Sequence, residues 1–235
     1  MKPRSALDAL KHLRRIGPRL ASRTLVEQLW YTKLFIGLRC DLENLPDVRP
    51  AKVEVGMEPR STDSYHGFEE ELARVRGIDY IEVLLRIGFC EAGVQTLYAA
   101  EHEGAPVYTQ WLVRANDQDI MERHTPGRYP QLAQDEVLLE GAYTFTEFRR
   151  MGVMADGMLQ LLRLSRDEGA LAAITYVASD NVASLRGCAA VGFVPDHLRE
   201  STRRLGLRNS TPFPIDAKTQ ALWSASVGSP CSESR

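Results

Sequence analysis

The stretch that most constrains this chain runs from Leu138 to Phe193. Leu138 to Phe145 is apolar enough for a strand, and a polar turn containing Arg149-Arg150-Met151-Gly152 follows. Gly152 to Glu168 then carries Val153, Met158, Leu161, Leu162 and Ser165 on one helical face, with Gly169 as its stop. A strand that turns into a helix aims the helix's first amide groups, which have no partner inside the helix, into the turn. Those donors, with about half a positive charge, suit a phosphate or pyrophosphate. Two adjacent arginines add fixed positive charge, although arginines before a helix also serve simply as solvated residues.

Around this unit the pattern is mixed α/β. Ala51 to Met57 alternates like a strand, and Phe68 to Gly88 reads as two short helices broken at Gly77. Gln95 to Ala100 and Val107 to Arg114 flank the turn Glu103-Gly104-Ala105-Pro106, which predicts an antiparallel hairpin. Asn116 to Asp135 is polar and irregular, a substrate-side loop by its length. Ala172 to Ala178 is a strand, Val182 to Val191 a short helix closed by Gly192, and Ser201 to Leu207 a last strand. From Asn209 the chain is rich in Ser, Thr and Pro and reads as a mobile polar tail over 209–235.

The beginning is different. Signatures of a helix start occur at Ser5 with Asp8 and at Thr24 with Glu27, separated by Gly17-Pro18. Leu7, Leu10, Leu13 and Leu20 stripe the first predicted helix; Leu25, Leu29, Trp30, Lys33 and Leu34 carry the second, so residues 1–40 are expected to form a basic helical hairpin. The net charge of -2 conceals it: residues 1–39 hold nine Lys or Arg against two acids, a net +7, which leaves the other residues at -9. Asn44 to Pro50 is the linker.

No run reaches the roughly 18 apolar residues that span a bilayer, and the basic start lacks a continuous apolar stretch with a cleavage site. The four cysteines, Cys40, Cys90, Cys188 and Cys231, form neither a zinc-ligand pattern nor a disulfide framework. These features predict a soluble cytoplasmic protein. The five histidines have no ligand spacing, so no metal role is assigned. The motifs G-x-x-x-x-G-K-[ST], G-x-G-x-x-G and G-x-S-x-G are missing from the sequence.

Two motifs give the chemistry a direction. Arg149-x-x-Gly152-x-Met154 resembles the acyl-CoA signature [RQ]-x-x-G-x-[GA] of the GNAT superfamily of N-acetyltransferases. Asn181-x-x-Ser184-x-x-x-Cys188-x-x-x-Gly192-Phe193 resembles that family's second motif, N-x-x-[AS]-x-x-x-Y-x-x-x-G-F. The resemblance covers 51–207 and implies a mixed, mostly antiparallel central sheet flanked by helices, here with an N-terminal helical extension. It implies acetyl-CoA as co-substrate and direct acyl transfer to an amine, with no covalent enzyme intermediate. Position by position, it implies that the backbone of Tyr143, Thr144 and Phe145 pairs with the pantetheine arm. Arg149, Arg150, Met151, Gly152, Val153 and Met154 would wrap the pyrophosphate, with Asn181 and Ser184 beside the pantetheine. Arg150 stands where the family has glycine, Met154 where it has glycine or alanine, and Cys188 where it has a tyrosine that protonates the departing thiolate.

A general base must take the amine's proton. Glu140 is the first candidate, because it interrupts the apolar run Val137, Leu138, Leu139; the alternative is an outward-facing strand glutamate. Cys188 is the candidate acid, with Tyr143 and Tyr176 as further donors; residues of these types more often serve as packed core residues. The expected acceptor is a small-molecule amine, with no nucleic acid. Two other functions stay open: a long-chain N-acyltransferase served by an acyl-carrier protein, and a non-catalytic acyl-CoA sensor. The basic arm could pack on its own domain or a dimer mate, or meet an acidic carrier protein or an anionic membrane surface.

Overall fold

The computed structural model describes residues 30–63, 65–204 and 207–227. In chain order the elements are β1 (Trp30–Asp41), β2 (Glu58–Arg60), α1 (Gly67–Arg74), α2 (Gly77–Glu91), β3 (Leu97–His102), β4 (Ala105–Arg114) and α3 (Gln118–His124). Then come β5 (Glu136–Thr144), α4 (Val153–Asp167), β6 (Ala172–Ala178), α5 (Val182–Ala190), β7 (Val194–Arg204), β8 (Leu207–Phe213) and α6 (Ala217–Val227). The strands make one eight-stranded sheet in the order β2-β3-β4-β5-β6-β1-β7-β8, antiparallel everywhere except at β5 and β6. Among the described residues no helix is long and apolar enough to cross a membrane.

Each face of the sheet has its own core. Ile36, Leu38, Leu112 and Leu139 face α4 and α5, where Met158, Leu161, Leu162 and Leu185 meet them, and Trp223 of α6 joins this layer. On the opposite face Trp111, Leu97 and Leu138 meet Phe68 of α1, Tyr80 and Val83 of α2 and Met121 of α3. The two layers follow from the period of two along the strands. In β5, Val137 and Leu139 point one way and Leu138 the other.

Three expectations need correction. The second predicted helix of the basic arm is, in its described part, the strand β1; the first predicted helix and the Thr24 helix start lie outside the described residues. The physical reason is a competing period. Ile36, Leu38 and Cys40 are buried at alternate positions, and strands beside them on both sides satisfy the backbone: β6 along Phe35–Asp41 and β7 along Trp30–Arg39. Second, Ala51 to Met57 is extended and alternating but joins no strand. It lies along α4, with Ala51 N donating to Asp156 Oδ2 (2.9 Å), Lys52 N to Met151 O (2.8 Å) and Met57 N to Gln160 Oε1 (3.1 Å). Val53, Val55 and Met57 pack on the core from there.

Third, the described part of the polar tail is ordered structure. β8 pairs with β7, and α6 starts where Asp216 Oδ1 accepts from Thr219 N at 2.7 Å, so that Trp223 reaches the core. The polar stretch 116–135 likewise contains the helix α3. The helix pair over 67–91, the hairpin of β3 and β4, and β5, α4, β6 and α5 appear where the sequence predicts them.

Two substitutions test this packing. Leu38→Ala in β1 is expected to cost about 2–5 kcal/mol in urea unfolding, the range for emptying a core site; a loss below about 0.5 kcal/mol would mark a peripheral segment instead. Gly157→Ala is expected to cost about 1–3 kcal/mol by overpacking, although alanine favours helix by roughly 1 kcal/mol. Its new Cβ would lie 2.6 Å from the ring of buried Tyr108.

Candidate functional site

The sheet opens between β5 and β6. Their parallel pairing is confined to Glu136–Ala172, Val137–Ala173 and Leu138–Ile174, after which β5 continues to Thr144 and β6 to Ala178 without meeting. Gly141 bends β5 at this point. Its φ of 65° lies in the left-handed region, and a Cβ there would sit 2.7 Å from the Trp111 ring, so only glycine fits. Arg86 of α2 holds the bend: Nε donates to Gly141 O (3.0 Å) and Nη2 to Ala142 O (2.7 Å), while Nη1 is paired with Glu82 at 2.8 Å.

Glu140 and Tyr176 stand on the two lips of the opening. Leu138 and Ile174 are the last paired residues, and two positions further along each strand bring Glu140 and Tyr176 onto the same face. Glu140 is almost fully buried and lies 3.4 Å from Arg128 Nη2. The segment carrying Arg128 also covers Tyr176, whose ring centroid is 6.0 Å from that of Tyr129. Burial pushes the Tyr176 phenol up to about 12 against the pull of Arg199, so it remains protonated at neutral pH.

The turn after β5 is held by a buried polar brace. Glu71 Oε1 accepts from Tyr143 Oη (3.1 Å), Thr146 N (3.1 Å) and Thr146 Oγ1 (2.7 Å). Arg149 makes a two-point pair with Asp79 (3.0 and 2.8 Å) and donates through Nε to Thr144 O (3.3 Å). Arg150 and Gly152 then both take positive φ, 64° and 84°. Successive residues of alternating hand turn backbone N–H groups into one concavity, the arrangement that receives anions. The helix α4 starts directly behind it. Its one first-turn acid, Asp156, is occupied by Ala51 N and by Gln160 Nε2 (2.9 Å).

The residues expected to bind the coenzyme are therefore brought to one end of the sheet, with qualifications. The Arg149 guanidinium is engaged by Asp79, so its backbone rather than its side chain faces the turn's chemistry. Met154, a bulky departure from the motif, is seated against α5: a Cβ on Gly187 would lie 2.9 Å from its sulfur, so a missing side chain on one helix makes room for the large one on the other. Asn181 caps α5, its Oδ1 accepting from Ser184 N at 3.2 Å.

Two candidate donors are placed elsewhere. The Tyr143 hydroxyl is committed to Glu71, with Arg86 and Arg149 over its ring at 4.9 and 5.6 Å, and burial together with Glu71 raises its pKa. It ties α1 to β5. Cys188 lies in the core between α5 and the sheet, and burial, with Cys40 nearby, pushes its thiol up to about 12. That is the packing role set beside its acid role in the sequence reading, and no catalytic step is assigned to it below. Sequence reasoning did not single out Arg86, Glu71, Arg128 or Arg199, because a charged residue in a single sequence reads as solvated until its partner is known. Asp79 with Glu82 reads as a helix start, whereas α2 starts at Gly77 and Asp79 pairs with Arg149.

No protein-family model matches the sequence, and no curated protein matches it. Solved structures do resemble it. An acetyltransferase from the GNAT family from Colwellia psychrerythraea superposes with a TM-score of 0.50 at 14% identity, covering 78% of this chain and 60% of that one. The GCN5-related glucosamine N-acetyltransferase region of a fungal multi-domain GH3 beta-N-acetylglucosaminidase gives 0.52 at 14% identity, covering 83% and 23%. The chain has the GNAT fold. A functionally unknown conserved protein from Staphylococcus epidermidis shares it at TM-score 0.51 and 11% identity, covering 82% of this chain and 69% of that one. Because the chain spans less than two thirds of the first two, and identity is this low, these likenesses speak to the GNAT fold and not to substrates.

The burial of the two thiols is testable through alkaline stability. Cys188 rises from an ordinary 9.0 to about 12, and Cys40, by burial and then Asp41, to about 11. Both stay protonated when the unfolded chain ionises, so stability is complete below pH 9 and falls as pH climbs from 9 towards 12. Urea midpoints measured from about pH 8 to about pH 10.5 are expected to fall less steeply in Cys188→Ala than in the unaltered protein. Parallel curves would mean that the thiol ionises in the folded state.

Proposed function

We propose that the protein is an acyl-CoA-dependent N-acyltransferase that carries an acyl group, acetyl first among the candidates, from coenzyme A to the amine of a small molecule. The observation that carries this reading is the opening between β5 and β6, with Glu140 on one lip and Tyr176 on the other. It ends at the anion-receiving turn of Arg150 and Gly152. The edge of β5 turned away from β4, at Tyr143 and Thr144, suits the amides of a pantetheine arm, whereas the Phe145 N–H is already bonded to Val107 O at 3.0 Å. Backbone N–H groups from Arg150 to Met154 suit the pyrophosphate.

In this reading the amine nitrogen bonds to the acyl carbon as the carbon–sulfur bond breaks. Glu140 accepts the proton that the amine gives up, and Arg128 fixes the carboxylate's direction. The Tyr176 hydroxyl donates a hydrogen bond to the departing sulfur. Full proton transfer from a phenol at about 12 to a thiolate of pKa near 8.5 is uphill, so Tyr176 stabilises the leaving group while solvent supplies its proton. This replaces the acid role that the family motif gives to position 188. The burial of Cys188 also favours the second reading, a non-catalytic acyl-CoA-binding module, and thiol release separates the two.

Two outcomes are expected. Glu140→Gln should lower kcat by about a hundredfold to ten-thousandfold with acetyl-CoA affinity unchanged, read by thiol release and calorimetry; full turnover would move the base elsewhere. Acetyl-CoA should raise the melting temperature, and Gly152→Asp should remove that rise. The substitution also strains a φ of 84°, so the ligand-induced shift, not the absolute Tm, is the readout. An intact shift would displace the pyrophosphate from this turn, and release of no thiol with any amine would favour the sensor.

A further inference from the structure

Beyond the lip formed by Tyr176, the same face of the sheet holds a buried arginine that the acyl-transfer chemistry does not use. Arg199 of β7 is more than nine-tenths buried, and its Cζ stacks 5.0 Å from the Tyr176 ring centroid. One end of its guanidinium, Nη1, donates to the carbonyl of Arg128. Its Nε is buried and has no hydrogen-bond partner, and the buried Tyr176 Oη also lacks one. A buried guanidinium nitrogen without an acceptor is costly, at roughly 1–3 kcal/mol or more, and among the described residues Arg199 Nε is the one unpartnered buried side-chain atom that belongs to a charged group. The carboxylates nearby are engaged with other residues: Glu140 with Arg128 at 3.4 Å, Asp196 with His197 at 2.8 Å and Glu136 with Arg39 at 2.5 Å.

A ligand group that answers Arg199 must be anionic, must accept at the Nε edge of its guanidinium, and must be compact. A carboxylate meets all three conditions, since its two oxygens match the Nε edge of an arginine. We infer, resting on the acyl-transfer reading above, that the acceptor amine carries a carboxylate. Its nitrogen lies towards Glu140 and its carboxylate against Arg199 Nε, which leaves the Tyr176 O–H for the departing sulfur. Neighbouring strands are about 4.8 Å apart and β1 lies between β6 and β7, so the backbones of β5 and β7 stand about 14 Å apart and their inward side chains bracket a molecule the size of an amino acid. The segment that carries Arg128 and Tyr129 lies against Arg199 and Tyr176, with the Arg128 carbonyl on Arg199 Nη1 and the Tyr129 ring beside that of Tyr176.

The experiment pairs α- and ω-amino acids with their primary amides as acceptors for acetyl-CoA and follows thiol release. Calorimetry of the matching N-acetyl amino acids and N-acetyl amides runs alongside it. The free acid is expected to exceed its amide at least tenfold in kcat/KM. Arg199→Gln is expected to lower the acid-to-amide ratio of kcat/KM at least tenfold, a ratio in which any effect of the lost stack on Tyr176 cancels. Arg199→Lys, which keeps the charge and the stack but loses the fork, guards against a folding defect and should restore part of the preference. Equal use of acid and amide, or a preference untouched by both substitutions, overturns the carboxylate site while acyl transfer stands. If no acceptor releases thiol, acyl transfer falls, and the site is judged by calorimetry. N-acetyl acids binding at least tenfold tighter than their amides, with the difference lost in Arg199→Gln, supports it, and equal binding overturns it.

Discussion

The bend of β5 at Gly141 is the constraint on which the rest of the site depends. A strand that leaves its neighbour in the middle of a sheet exposes carbonyl and amide groups where water is scarce, which is costly unless something else receives them. Arg86 does so from α2, placing two guanidinium nitrogens on the carbonyls of Gly141 and Ala142. The glycine supplies the geometry, and the Trp111 ring lies where a side chain would have been. Without this pair of adaptations β5 and β6 could continue their ladder, and the opening flanked by Glu140 and Tyr176 would close.

A second polar set continues the same work. Glu71 collects three donors on one oxygen, and Arg149 joins Asp79, Thr144 and the neighbourhood of Tyr143. Buried charges of this kind add little net stability compared with an apolar core, but a partner removed leaves a bare charge behind. Their contribution is positional. They fix the end of β5 and the turn before α4 against α1 and α2, so the concavity at Arg150 and Gly152 is formed by the folded chain itself. Preorganisation of this sort reduces what a ligand must spend on ordering the loop.

Much of this was legible in the sequence, and the rest was hidden for identifiable reasons. Gly152 followed by the amphipathic face of Val153, Met158, Leu161 and Leu162 marks α4 directly, because local period and local turn chemistry agree. Glu140 was visible as a polar interruption of an apolar strand. Tyr176 was visible as a possible proton donor; its place opposite Glu140 depends on where pairing stops, a property of two strands and one glycine. In β1, the helix-start signature at Thr24 and an apolar spacing compatible with helix competed with the alternation of Ile36, Leu38 and Cys40. Tertiary pairing on both edges decided for the strand. Val53, Val55 and Met57 show the converse, a true alternation whose partner is a helix. Arg199 could not be read at all, since its significance lies in what faces it.

The position of β1 bears on how the chain comes to be folded. It is the earliest described strand, yet it lies between β6 and β7, and those strands meet only through it. A chain emerging from the ribosome has made β1 long before either partner exists. Its alternating Ile36, Leu38 and Cys40 must wait, unpaired, while more than half of the protein is synthesised. Contacts so distant along the chain slow folding and leave strand edges open to other chains. The second half of the sheet therefore closes late and all at once, when β7 arrives and gives the first strand its other neighbour.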